Sequence, residues 1–517
     1  MKVQVKDHFA KSGLTSVGVV LAHKMDASDT TSDKKKKSHT PNNKSKTMWM
    51  ISNVPKVLKE LAESEIFVGN EKQVYFLRGV SFRNSQHLVC VGLGKNKDDH
   101  ERWRQAGAAC YRALSKEKIK HIVVYLDEYH DLKAHQVRAW VEGMELAAYS
   151  FDELKSVKEG PSFSDTCQVD MVVPSDCVSE ARDAVNEAQT LAYAVNTSRR
   201  LGDLPSNYLT PAAFAKEVES YFKNKSNVKV TIWDKKRIEK ERLGGLLAVA
   251  KGSHEEPRLI IVEYKGHRRS SRPLAFVGKG LTFDTGGISL KPSASMEEMK
   301  FDMCGAAAVV GALKAIVERQ LPIHVVGILP VTENMPGGSA IKPGDVYVAR
   351  NGKTVEVNNT DAEGRLILGE ALVLASEYKP FAIVNVATLT GAIVVALGNL
   401  HTGYFTRFDE LSRQIEEASR LSGEWVWRMP LVDQHGEDMK GTFADLSNIS
   451  SNKGAGSATA AAFLENFVEK GIPWAHFDIA GTAYGVGNRL NYCSNKGASG
   501  VMVRTFYELA KEMSTQL

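Results

Sequence analysis

Short apolar runs alternate with stretches of helical period along most of the chain. Residues 17–22, 74–77, 87–92 and 121–126 are apolar blocks of strand length. Residues 101–114 and 137–149 place apolar side chains at helical spacing. A long Ala- and Glu-rich helix is predicted over 179–200, followed by strands at 228–231, 259–263, 274–277, 324–329, 383–388 and 474–479. Helices at 305–320, 458–470 and 501–513 fall between and after them. This alternation predicts an α/β fold of two domains, each a mixed β-sheet flanked by helices. The boundaries are a first domain at 1–178, a linker helix at 179–203 and a larger second domain at 204–517. The Gly92-Leu93-Gly94-Lys95 segment reads as a tight turn after its strand.

One segment breaks the pattern. Residues 24–47 include Lys34-Lys35-Lys36-Lys37 and almost no large apolar side chain. Such a stretch buries too little surface to offset its ordering entropy, so a disordered basic insert is expected. The formal net charge of +5 owes part of its value to this insert and says little about the partner of any active site.

Composition narrows the class. The 517 residues exceed what one core organises, and 43% hydrophobic residues is ordinary for a soluble protein. No apolar run has the length of a membrane span, and the first residues show neither an apolar signal core nor a transit-peptide bias. Six cysteines are scattered without paired metal spacing and read as reduced thiols. A soluble, cytoplasmic protein is expected.

The chemistry concentrates in two stretches. Asn359-Thr360-Asp361-Ala362-Glu363-Gly364-Arg365-Leu366 sets two carboxylates two residues apart, then a guanidinium. Upstream, glycines follow the strand at 274–277 and carry Lys279, Asp284 and Lys291, with Asp302 just before a small-residue helix. Ligands of open α/β sheets sit at the carboxyl ends of strands. Four carboxylates brought together repel one another, and one or two divalent cations resolve the repulsion. A lysine that ligates a metal must be neutral, so its ordinary pKa near ~10.4 has to fall to about 7 or lower, costing about 4.6 kcal/mol. A second, charged lysine would stabilise an oxyanion. The Gly278-Lys279-Gly280 run lacks the spacing of a phosphate-binding P-loop.

These stretches, with Asp284-Thr285-Gly286-Gly287, Lys342-Pro343-Gly344-Asp345, Asn334-Met335-Pro336-Gly337, Trp427-Arg428-Met429-Pro430-Leu431, Asp445-Leu446-Ser447-Asn448-Ile449 and His476-Phe477-Asp478-Ile479-Ala480-Gly481, resemble the leucyl aminopeptidase (cytosol aminopeptidase) family, peptidase family M17. The resemblance runs from about residue 196 to the C-terminus. It implies a metal-dependent aminopeptidase that releases N-terminal leucine or other apolar residues by a water activated between two metal ions. One metal would be held by Lys279, Asp284, Asp302 and Glu363, and the other by Asp284, Asp361 and Glu363. Zn or Mn is implied, with Mg or Co as alternatives. Lys291 would stabilise the oxyanion, and Arg365 would hold a bicarbonate that shuttles a proton. Met299, Thr388, Gly391, Ala480 and Ala483 would form the pocket for the first side chain. A homohexamer acting on peptides with a free N-terminus is implied as well.

Blander readings compete for single residues. Asp284 or Asp302 alone would be a cap or turn residue, Lys291 a surface lysine and Met299 core. His476, in an apolar strand, reads as structural. Two rival classes are a two-metal phosphoesterase and a nucleic-acid-binding protein using the 24–47 insert; neither accounts for the C-terminal motifs, and neither a membrane nor nucleic acid is expected as a partner.

Overall fold

The computed structural model describes residues 1–8, 16–25, 46–95, 99–117, 119–157, 162–266 and 272–515. Most of the expected insert, 26–45, lies outside the described residues. Its two ends do not: Lys24 and Met25 close the strand Ser16–Met25 and pair antiparallel with Lys46–Trp49. The chain divides into two compact units, Met1–Tyr193 with Leu490–Tyr492, and Ala194–Arg489 with Cys493–Leu517. The helix predicted at 179–200 is Val178–Asp203.

The first unit is built on a seven-stranded sheet in the order Lys2–Lys6, Gln168–Val172, His121–Tyr125, Ser16–Met25, His87–Lys95, Val74–Leu77, with Lys46–Trp49 on the side of Ser16–Met25. The inner pairings are parallel and their strands are almost wholly buried, which is why they read as continuous apolar runs. The tight turn expected at 92–95 is instead the end of a strand: His87–Lys95 continues through Gly94, whose φ of 74° is absorbed where its register against Ser16–Met25 shifts.

The second unit carries a nine-stranded mixed sheet. Its centre is Trp474–Asp478, Ala382–Ala387, Leu274–Gly278 and His324–Asn334, all mutually parallel. Arg258–Lys265 and Val228–Trp233 extend it antiparallel at one side. Helices Cys304–Glu318 and Gly364–Glu377 cover it, and Ala- and Gly-rich faces let them sit close. The loop expected after residue 277 is mostly strand: Gly280–Asp284 resumes pairing with His324–Asn334 across a bulge. Lys279 therefore stands at a break between two strands, where its backbone N–H donates to Val386 O at 3.0 Å and its carbonyl accepts from Ala306 N at 2.7 Å. All six cysteines are free. No helix among the described residues is long and apolar enough to cross a membrane.

Candidate metal centre

The four central strands deliver their carboxyl ends to one place. Lys279 follows the first, Asn334 ends the second, Thr388 follows the third, and Asp478 ends the fourth. Beyond Asp284 the chain must turn back, and Gly286 and Gly287 do so with φ of 85° and 71°, a region open to glycine. A Cβ on Gly286 would lie 2.7 Å from Asp361 Oδ1, so the close approach also excludes any larger residue.

The second acidic stretch is a turn running into the helix Gly364–Glu377. Thr360 ties it to the first: its hydroxyl donates to Gly286 O at 2.6 Å and accepts from Ser289 N at 2.8 Å. Asn334 adds a clamp by donating to Asp284 Oδ1 at 2.8 Å and to Thr360 O at 3.0 Å. Asp284, Asp361 and Glu363 each bring a carboxylate oxygen within 4.8 Å of the others. Lys279, 3% exposed, pairs with Asp302 Oδ2 at 2.8 Å and Glu363 Oε1 at 2.9 Å, and donates to Thr388 O at 2.9 Å. Thr388 Oγ1 donates in turn to Asp302 Oδ1 at 2.7 Å. Lys291 pairs with Asp284 Oδ2 at 2.9 Å and with Asp361. The structure thus brings Lys279, Asp284, Asp302, Asp361 and Glu363 together with Lys291.

The electrostatics are those of an unbalanced acidic cluster. Burial, reinforced by the Asp284 charge, pushes Glu363 up to about 8, and burial pushes Asp302 up to about 6 against the pull of Lys279. Burial works against the charge on Lys279, yet the Asp302, Glu363 and Asp284 carboxylates override it and hold the proton above the ordinary lysine range. Lys291 is raised for the same reason. The sequence argument asked Lys279 to lose its proton near neutrality; the protein's own charges favour the opposite, so deprotonation has to be driven by a competing cation. The donor set fits such a cation: four carboxylates face two ammonium groups, and Glu363 Oε2 is buried without a hydrogen-bond partner.

Arg365 is fixed by one contact, Nη1 donating to Asn448 O at 2.8 Å, and its buried Nε has no partner. Burial lowers it to about 10, so it stays charged near neutrality. Of the expected pocket residues, Thr388 is buried, Met299 and Ala480 are half-buried, and Gly391 is exposed at the start of the helix Gly391–Leu397. Ala483 is 1% exposed and offers almost no surface to a ligand. His476 is structural in its setting. Trp474 Nε1 can only donate, so it fixes Asn385 Oδ1 as acceptor at 2.9 Å and turns Asn385 Nδ2 toward His476 Nδ1 at 2.8 Å. His476 Nδ1 must accept, its proton sits on Nε2, and burial lowers the ring to about 3.

Residues 196–507 match the catalytic-domain model of the cytosol aminopeptidase family, and residues 43–158 match its N-terminal-domain model. The chain belongs to the cytosol aminopeptidase family. It is 53% identical to a probable cytosol aminopeptidase of Bdellovibrio bacteriovorus over 89% of this chain and 92% of that protein. It is 42% identical to one of Aromatoleum aromaticum, over 80% and 82%. Among solved structures it resembles the bottromycin maturation enzyme BotP in complex with Mn, with a TM-score of 0.81, 32% identity, and coverage of 97% of this chain and 100% of that one. As a cytosol aminopeptidase the chain is a metal-dependent hydrolase of peptides.

Sequence reasoning did not single out Asn334, Thr360 or Asn448 as parts of the site. Each stood inside a quoted motif, and each is a buried polar residue whose partners lie far along the chain.

Proposed function

We propose that this aminopeptidase releases N-terminal leucine and other apolar residues from peptides, with two divalent ions, Zn or Mn, at the acidic cluster. Lys279, Asp284, Asp302 and Glu363 would hold one ion, and Asp284, Asp361 and Glu363 the other. When bound, the ions supply Lewis-acid activation of a water and of the scissile carbonyl. The chain's own groups do the rest. Lys291 keeps its ammonium proton, is partly open to solvent, and is aimed between Asp284 and Asp361, so it can donate to a carbonyl oxygen that gains negative charge. Arg365, with Nη1 tied to Asn448 and Nε unpaired, can hold a bicarbonate as the proton carrier. Met299 and Thr388, with Gly391, Ala480 and the backing Ala483, give the first side chain an apolar wall. A cytoplasmic homohexamer is the corresponding assembly.

The observation that carries this reading is the convergence of Asp284, Asp361 and Glu363 with an unpartnered Glu363 oxygen. The test is hydrolysis of a leucyl amide reporter by metal-stripped protein before and after adding Mn or Zn. Activity is expected to return in the parent and to stay roughly a thousandfold lower in Asp361→Ala, about 4 kcal/mol of transition-state stabilisation. A folded, metal-loaded parent inactive on leucyl and methionyl amides sinks the reading. Unchanged leucine preference in Met299→Ala sinks the pocket assignment.

A further inference from the structure

Asn448 follows the two-residue strand Leu446–Ser447 and is 0% exposed. Its Oδ1 accepts from Asn358 N at 2.8 Å and from Asn359 N at 3.3 Å. Its Nδ2 donates to Asn359 O at 2.6 Å and to Ala362 O at 3.4 Å. Its backbone carbonyl accepts from Arg365 Nη1 at 2.8 Å, and its own N–H donates to Glu356 O at 3.0 Å. The oxygen faces two backbone donors and the nitrogen two backbone acceptors, so the amide has one orientation. An aspartate could not donate, an aliphatic residue could do neither, and a serine could not span the loop.

We propose that Asn448 is a positioning residue that holds the loop bearing Asp361 and Glu363 and the Arg365 guanidinium in one register. The side chain grips residues 358–362, the segment that leads directly into Glu363. The main-chain oxygen of the same residue sets Arg365. Two mutually repelling carboxylates on a turn would otherwise spread apart. Thr360 and Asn334 tie the middle of this segment to the first acidic stretch, and Ala362 N donates to Asn359 O at 3.2 Å. The Asn448 side chain is the group that bonds residues 358, 359 and 362 to one another. Truncating the side chain leaves the carbonyl contact to Arg365 and releases the loop, so the metal is lost first.

This inference rests on the metal reading above. The test is Mn titration of metal-stripped protein by calorimetry, together with kcat and KM, for the parent, Asn448→Ala and Asp445→Ala. Asp445 lies on the same segment, but its carboxylate receives hydrogen bonds from Thr354 N and Oγ1, away from the ligand loop. Asn448→Ala is expected to bind Mn roughly 10–100-fold more weakly and to lose kcat with KM nearly unchanged, while Asp445→Ala binds Mn like the parent. If Asn448→Ala does not fold, Asn448→Ser takes its place with the same expectation. A folded Asn448 variant that matches the parent in Mn affinity and kcat overturns the clamp alone, as does equal weakening in Asp445→Ala. A parent that takes up no Mn overturns the metal reading, and the clamp falls with it.

Discussion

The N-terminal unit buries a charge cluster between two helices, His100–Leu114 and Ala134–Ala147, and the catalytic unit buries another at the ends of four strands. In the first, Arg104 is wholly buried and donates to Glu142 Oε2 at 2.8 Å and to Glu101 Oε2 at 2.6 Å, while Arg138 stands 3.3 Å from Glu142 and 3.4 Å from Glu187. Gln105 and Tyr492 satisfy the other Glu101 oxygen. The helices are locked at this distance, because a Cβ on Gly143 would lie 1.8 Å from Arg104 O. Every carboxylate there has a guanidinium, whose forked donors serve two partners at once. In the catalytic unit each compact ammonium is divided between two carboxylates. Glu142 Oε1 and Glu363 Oε2 are both buried without a hydrogen bond, but Glu142 Oε1 has Arg138 Nε at 3.3 Å, whereas the Lys279 ammonium sits on the other Glu363 oxygen. One cluster is closed by its own residues; the other is open to a cation from outside.

The comparison is tested most severely by removing a cation from the closed cluster. Arg104→Met takes away the guanidinium paired with buried Glu101 and leaves Glu142 with Arg138 alone, and is expected to destabilise the chain by about 3–5 kcal/mol. Thermal unfolding measures the loss, and activity per folded molecule should be unchanged. A variant as stable as the parent would mean that the pairing contributes nothing.

Much of this was legible beforehand, for physical reasons that differ by residue. The buried parallel strands near 17–22, 121–126, 274–277 and 383–388 were readable because burial on both faces leaves continuous apolar runs. Strands such as Asp345–Val348 and Val426–Arg428 were not, being short and half exposed. Lys279, Asp302, Asp361 and Glu363 were readable as a set through their motifs. Asn448 was not, because its role exists only once residues 86 to 90 positions away fold against it. That Lys279 keeps its proton in the absence of a dication was not legible, because it depends on which carboxylates reach it, a property of the fold rather than of the motif.

A buried carboxylate outside both clusters sharpens the contrast by having neither arrangement. Glu370 accepts from Gly245 N at 2.6 Å and Arg350 N at 3.0 Å, and burial pushes it up to about 7 despite those bonds. Its ordinary value is 4.5, so between 4.5 and 7 the folded chain binds this proton more tightly than the unfolded one. Its contribution is fully present at low pH and is lost as pH rises through that window, by at most roughly 3 kcal/mol. The difference in unfolding free energy between parent and Glu370→Gln should therefore change across the window and level off above it. A difference independent of pH would show that Glu370 stays ionised in the folded chain.

The smallest effect expected has the opposite sign. Above about pH 8, where Glu363 is ionised without a metal, Glu363→Gln removes one negative charge from the open cluster and leaves Lys279 with Asp302 Oδ2 and Thr388 O, so no cation is stranded. An amide in place of the unpartnered oxygen can donate to the nearby Asp284 or Asp361 carboxylate, which the glutamate repels. Metal-stripped Glu363→Gln should thus unfold at higher temperature than metal-stripped parent, by roughly 1–2 kcal/mol, the range in which replacing a poorly compensated buried charge is favourable. Adding Mn should reverse the order, because only the parent gains binding energy from the folded state. The variant should meanwhile be inactive on the leucyl amide. The crossing is the informative part. If Glu363→Gln is less stable than the parent both with and without Mn, the catalytic cluster is already closed by Lys279 and Lys291, as the helical one is by its arginines, and the distinction between the two units fails.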